Sequence, residues 1–237
     1  MSKPLRSIIF AMVLCLVCSV LLTAASSGLK ERQMRNMAVD RQKNILMAAG
    51  LITGPKQLTT HDIESVYKEN IKNLWVSADG SIVSAAERGE TDLPVYVNYR
   101  EGRIIAYVIP IDTRGLWGKI HGYLAIEKDG TTIRGFSVYK HSETPGLGGE
   151  IESRWFRKNF EGKKITDHEG AFVSISVAKG AVEDAVPVPR QNNYVDGISG
   201  ATLTGKYLTS GLKDILRDYE PVAVRFRKNM NIKEDTE

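Results

Sequence analysis

The spacing of hydrophobic positions divides the chain into stretches of different character. From Ser7 to Leu29 there are 23 residues without a charge, and the centre, Ile8 to Leu22, is almost wholly apolar. As a helix this run spans about 34 Å, enough for a hydrocarbon core of about 30 Å. It exceeds the roughly 7–15-residue apolar stretch of a secretion signal, which argues for an uncleaved anchor. The small residues Thr23-Ala24-Ala25-Ser26 keep a cleaved signal as the alternative. Bases flank both ends (Lys3 and Arg6, then Lys30, Arg32 and Arg35), so flanking charge does not orient the anchor.

Residues 30–51 continue with helical spacing in a charged background until Gly50 and Gly54-Pro55. A second helix is expected from Asp62 to about Leu74, with Ile63, Val66, Tyr67, Ile71 and Leu74 on one face. After Asp79-Gly80 the period shortens. Val95–Tyr99 and Arg103–Ile109 around Glu101-Gly102 read as one hairpin, and Gly122–Glu127 and Thr132–Tyr139 around Asp129-Gly130 as another. Ile151–Phe160 reads as helix and Ala171–Ala178 alternates like a strand. From Ser199, the residues Leu203, Tyr207, Leu208, Leu212, Ile215, Leu216 and Tyr219 recur at helical spacing. Strands followed by helices, without βαβ alternation, imply an α+β fold: an antiparallel sheet with packed helices, preceded by one N-terminal transmembrane helix. The expected organisation is tip and anchor over 1–29, helical stalk over 30–75, folded domain over 76–225 and polar tail over 226–237.

Composition narrows the chemistry. With 32 bases against 28 acids and a net charge of +4, the chain shows no basic stripe of the kind nucleic acid requires. Both cysteines, Cys15 and Cys18, lie inside the apolar run. The remainder therefore has no disulfide, and no Cys-ligated zinc or iron–sulfur cluster. His61, His121, His141 and His168 are dispersed and offer no metal-ligand spacing, so no metal site is expected.

The segment Asp196-Gly197-Ile198-Ser199-Gly200-Ala201-Thr202-Leu203-Thr204-Gly205-Lys206 is the sharpest in the chain. Ser199 is placed to cap the last helix, which puts Thr202 at its third position. There, free backbone N–H groups and the positive dipole end suit an anion such as phosphate. Gly200 and Ala201 leave the backbone approachable. Gly200 to Lys206 also fits G-x-x-x-x-G-K, but Tyr207 stands where a nucleotide-binding loop needs Ser or Thr.

This segment resembles the flavinylation signature of the FMN-binding domain family, Asp-Gly-x-Ser/Thr-Gly-Ala-Thr, at every fixed position. The resemblance implies covalent FMN, joined through its phosphate to the Thr202 hydroxyl, with Ser199, Gly200, Ala201 and Thr204 around it. His141-Ser142-Glu143-Thr144-Pro145-Gly146-Leu147-Gly148 is similar to the family's second signature, whose loop borders the flavin ring. That implies Glu143, Thr144, Gly146, Leu147 and Gly148 as further cofactor-binding residues. Lys179 is expected near the flavin pyrimidine, where an ammonium favours the reduced anionic ring.

The resemblance extends to Gly115-Leu116-Trp117-Gly118, to Gly122–Glu127 and to Gln42–Leu51. Over its length the chain looks like the C subunits of sodium-translocating NADH:quinone reductases, relatives of the G subunits of Rnf complexes. What this implies is an electron-transfer subunit, without the NADH site, in an oxidoreductase of the bacterial inner membrane. Its main domain would be periplasmic, its partners the other subunits of the complex, and a flavin transferase would mature it. An Rnf-type subunit, or a cofactor-free extracytoplasmic assembly module, are the alternatives.

Overall fold

A computed structural model describes residues 3–52 and 58–228. The chain divides into two compact units, residues 1–40 and 41–237. The first lies within helix α1, Lys3–Ala48. Its apolar residues are exposed along the run, Phe10 at 69% and Leu22 at 71% among them. By length and composition this helix is long and apolar enough to cross a membrane.

The second unit is a six-stranded sheet with helices on both faces. Its strands are β1 (Ile71–Val76), β2 (Ile82–Val83), β3 (Leu93–Arg100), β4 (Arg103–Arg114), β5 (Lys119–Glu127) and β6 (Ile133–Lys140). They pair antiparallel in the order β2-β1-β3-β4-β5-β6. The β3–β4 turn has Glu101 at φ 53° and Gly102 at φ 75°, the left-handed pair that a two-residue hairpin demands. Beyond the sheet follow a 3₁₀ turn (Gly148–Glu152), α3 (Arg154–Lys158), β7 (Ser176–Val177) and α4 (Val182–Ala185). A second 3₁₀ turn (Val188–Asn193), β8 (Tyr194–Val195), α5 (Thr202–Asp218) and α6 (Glu220–Arg227) are the remaining elements of the described residues. β7 and β8 form a separate parallel pair.

Register decides which side chains meet. Val97 opposite Tyr107, and Ile109 opposite Leu124 opposite Phe136, place one face of the sheet in the main core. That face is covered by Leu208, Leu212 and Leu216 of α5, Val222 and Phe226 of α6, and Phe156 and Phe160. The other face is covered by residues 41–49. The Ser137 hydroxyl donates to the Asn44 carbonyl at 2.9 Å, Arg41 donates to the hydroxyls of Tyr96 and Tyr123, and Ile45, Leu46, Ala48 and Ala49 are buried.

Several sequence expectations change. The stalk expected over 30–75 keeps only residues 30–40 outside the compact unit. Helical periodicity marks an apolar stripe at Ile45–Ala49 but cannot say that the stripe covers a sheet. Helix α2 is Thr60–Asn70, with a Thr59–Asp62 capping box, and stops before Ile71, whose extended backbone begins β1 instead of prolonging a helix to Leu74. The strand expected over Ala171–Ala178 contracts to Ser176–Val177, because Ser174 at φ 73° interrupts the extended run. Gly54-Pro55 and the tail from 229 onward lie outside the described residues.

Candidate functional site

The motif near residue 200 can be accounted for almost atom by atom. The Asp196 carboxylate accepts the Val182 N–H at 2.7 Å and so caps α4 from outside it. Gly197 donates its N–H to the Gly180 carbonyl at 2.8 Å, and a Cβ on Gly197 would stand 2.3 Å from the Ala178 carbonyl oxygen. Ile198 and Ala201 are buried in the core, and the Ala201 N–H closes a turn onto the Ile198 carbonyl at 3.1 Å. Gly200 occupies the third position of that turn at φ 72°, which favours glycine. Farther on, Gly205 packs against Val177, and the Thr209 hydroxyl accepts the Val177 N–H at 2.9 Å.

This geometry corrects the expected cap. Gly200 is left-handed, so the helix cannot start at Ser199. Ala201 stands at the N-cap without a side-chain hydrogen bond, and Thr202 is the first helical residue, not the third. The capacity to bind an anion survives the shift. No side chain caps the first turn, and the N–H groups of Thr202, Leu203 and Thr204 precede the first intrahelical bond, from Gly205 to Ala201 at 3.0 Å. Ser199 and Thr202 are exposed, and neither hydroxyl has a hydrogen-bond partner among the described residues. Within Asp196–Thr202 they are the two residues to which packing assigns no task.

The second expected segment arrives at the same place. A Cβ on Gly148 would lie 2.6 Å from Thr204 Oγ1, and one on Gly200 would lie 2.8 Å from a methyl of Leu147. Thr144 turns the loop by accepting the N–H groups of Leu147 at 3.1 Å and Gly149 at 2.9 Å. Thr144, Gly146 and Leu147 are exposed, whereas Gly148 and Glu143 are buried. Thr204, the other buried member, donates its hydroxyl to Glu143 Oε2 at 2.5 Å. Lys179 is exposed on the turn that packs its backbone against Gly197.

Sequence reasoning named no site role for Trp117 or Leu203. Trp117 is 69% exposed, yet its N–H donates to Glu143 Oε1 at 3.0 Å; Leu203, next to Thr202, is 51% exposed. Exposed apolar side chains beside uncapped amides suit a ligand with an anionic end and a flat apolar end. Of the aromatic pair in α3, Phe156 belongs to the core, stacked edge-on against Phe136 and Phe160, and Trp155 is half exposed.

The groups with displaced pKa values lie elsewhere. Burial pushes Tyr67, on α2, up to about 12 and also raises Tyr123, on β5, so these phenols stay neutral near Arg41. A groove lined by Asp79, Arg217, Glu220, Pro221, Val224 and Arg225 sits at the far end of α5 and includes none of the residues above. Among the described residues no cluster of His, Cys, Asp or Glu is arranged to hold a metal ion.

Known proteins resemble this chain over most of its length. Residues 115–217 match the family model of the FMN-binding domain. The chain is 32% identical over 228 residues to the C subunit of the Na(+)-translocating NADH-quinone reductase of Yersinia pestis, covering 84% of this chain and 83% of that one. It is 29% identical over 231 residues to the corresponding protein of Pseudomonas aeruginosa, covering 85% and 87%. The crystal structure of the C subunit from Parabacteroides distasonis superimposes with a TM-score of 0.70 at 31% identity, over 86% of this chain and 98% of that chain.

Proposed function

The chain belongs to the family of Na(+)-translocating NADH-quinone reductase C subunits, and from that premise we propose that it is a membrane-anchored electron-transfer protein of the complex, with FMN held as a phosphoester on Thr202. Membership in that family sets the Rnf-type alternative aside. The observation that carries the proposal is the pairing of two unpartnered, exposed hydroxyls with an uncapped helix start inside an FMN-binding domain.

The residues present fit the group. The N–H groups of Thr202, Leu203 and Thr204, with the positive end of the α5 dipole, offer a phosphate fixed donors that need no reorganisation. Ser199 adds a hydroxyl at the entrance of the same turn. Gly200 carries no Cβ to obstruct the approach, and Leu147, Leu203 and Trp117 offer apolar surface for the ring. Lys179, on the turn next to Gly197, supplies a positive charge that favours an anionic ring. When bound, FMN supplies one-electron redox chemistry at this site. Attachment to Thr202 keeps the group in place in a compartment without free FMN. A flavin transferase would form the Thr202 O–P bond at the expense of the pyrophosphate bond of FAD, releasing AMP.

The proposed setting is supported by the length and apolar character of α1 together with the family the chain belongs to. Ser7–Leu29 spans the bacterial inner membrane once, with the folded unit on the periplasmic side among the other subunits of the complex. Electrons then pass through this protein between redox centres on its neighbours, one step in coupling NADH oxidation and quinone reduction to sodium export.

The test is colour. Full-length protein from a host containing the transferase is expected to keep its yellow flavin absorbance after denaturation and gel filtration, and Thr202→Ala is expected to be colourless. Flavin lost from denatured wild type, or retained by Thr202→Ala, contradicts the assignment.

A further inference from the structure

Glu143 was expected to touch the cofactor, but its surroundings assign it a different task. It is 4% exposed, and both oxygens are engaged by protein donors: Oε1 by the Trp117 N–H at 3.0 Å, and Oε2 by the Thr204 hydroxyl at 2.5 Å. Its own N–H donates to His141 Nδ1 at 3.1 Å, while His141 Nε2 faces Glu152 at 3.3 Å. No lysine or arginine forms an ion pair with it among the described residues.

Two glycines make room for this carboxylate. A Cβ on Gly115 would lie 2.4 Å from Oε1, and one on Gly148 would lie 2.8 Å from Oε2. The chain is therefore bare on both sides of the group. A buried carboxylate satisfied by two neutral donors is a poor choice for stability alone, because a matched apolar side chain avoids its desolvation. What this group does instead is join segments far apart in sequence: the β4–β5 turn, the Thr144–Gly148 loop and the first turn of α5.

We propose that Glu143 is a positioning residue of the flavin site: it clamps the Trp117 turn and the Thr144–Gly148 loop onto the first turn of α5 and sets a fixed negative charge beside the cofactor without contacting it. The inference rests on the reading that Thr202 carries FMN. Thr204, which Glu143 holds, lies two residues from Thr202 on the same turn. A fixed negative charge there opposes the addition of an electron, so it lowers the flavin's reduction potential.

The test separates charge from clamp. In full-length flavinylated protein, Glu143→Gln keeps the shape: its carbonyl accepts from Trp117, and its amide donates to the Thr204 hydroxyl, which turns to accept. The expected result is unchanged flavin content and thermal midpoint with a raised midpoint potential. A potential equal to wild type in this folded variant overturns the charge role.

The clamp is read without flavin, by hydrogen exchange in a Thr202→Ala background. There, Thr204→Val and Glu143→Ala are expected to speed exchange at the Trp117 N–H about tenfold while the central β4 and β5 amides hold, and Thr204→Ser is expected to restore protection. Unchanged Trp117 protection in Thr204→Val, which keeps the buried volume, overturns the clamp even if Glu143→Ala fails to fold. A wild type without FMN defeats the Thr202 reading and the charge role with it, and the exchange result then decides the clamp alone.

Discussion

Gly197→Ala tests whether the segment that presents Thr202 is held as tightly as the geometry implies. The added methyl would stand 2.3 Å from the Ala178 carbonyl oxygen and 3.0 Å from the Gly180 nitrogen. That is roughly 1 Å inside the ~3.3 Å at which carbon and carbonyl oxygen ordinarily meet. Both obstacles are backbone, so no side chain can swing aside. Two bonds fasten the segment there, Gly197 N–H to the Gly180 carbonyl at 2.8 Å and Ala178 N–H to the Val195 carbonyl at 2.9 Å. Losing both costs about 1–3 kcal/mol, and residual overpacking adds about 1–3 kcal/mol. A total of about 2–6 kcal/mol corresponds to a fall in Tm of roughly 4–24 °C for a unit of this size.

The control lies on the same turn. A Cβ on Gly180 meets nothing within 4 Å, and its φ is not left-handed, so Gly180→Ala is expected to be neutral or to stabilise by about 0.4–1 kcal/mol. The assay is thermal unfolding of full-length protein in detergent, followed by circular dichroism, with flavin content measured in parallel. A Gly197→Ala midpoint within 2 °C (about the resolution of such a comparison) of wild type, or a Gly180→Ala fall as large as that of Gly197→Ala, refutes the reasoning.

Other perturbations probe the rest of the unit. Gly211→Ala ought to stabilise an isolated helix by about 1 kcal/mol, but its Cβ would fall 1.6 Å from Thr113 Oγ1. A net loss of stability is expected, partly restored in the double variant with Thr113→Ala, and additive melts would refute the contact. Tyr107 has a buried hydroxyl without a partner among the described residues, on a ring stacked on Phe226 at 4.8 Å. Tyr107→Phe is expected to raise stability by about 1 kcal/mol, and a lower midpoint contradicts that. Hydroxyl bonds from Ser77 and Ser81 hold the Asp79 carboxyl far below its ordinary range, with Arg225 also nearby. Its folded pKa is depressed, so its contribution is present above the ordinary carboxylate pKa of about 4 and is lost as pH falls below it. Melts from pH 7 to pH 2 are expected to decline less steeply for Asp79→Asn, and parallel curves would refute the coupling.

How much was legible in the sequence depended on the range of the interaction involved. Both hairpins could be read because their turns are local: Glu101-Gly102 and Asp129-Gly130 declare themselves to their own strands. The motif at Asp196–Thr202 was equally visible, although its cap was misassigned. A serine before an apolar stripe looks like an N-cap, and only the left-handed Gly200 moves the start to Thr202. β1 was hidden because Ile71 and Leu74 satisfy a helical stripe, and only their pairing with Asn98 and Val95 makes them a strand. α6 was missed although Pro221 stands in its first turn, a position proline favours. The bond between Glu143 and Thr204 joins residues 61 apart, so no local pattern announces it.

Fragmentation mass spectrometry of the peptide bearing Ser199, Thr202 and Thr204, from full-length protein matured with a flavin transferase, tests the central claim most directly. The expected result is an increment of one FMN less one water, carried by the Thr202 side chain. An unmodified peptide from that source, or the same increment on Ser199 or Thr204, contradicts it.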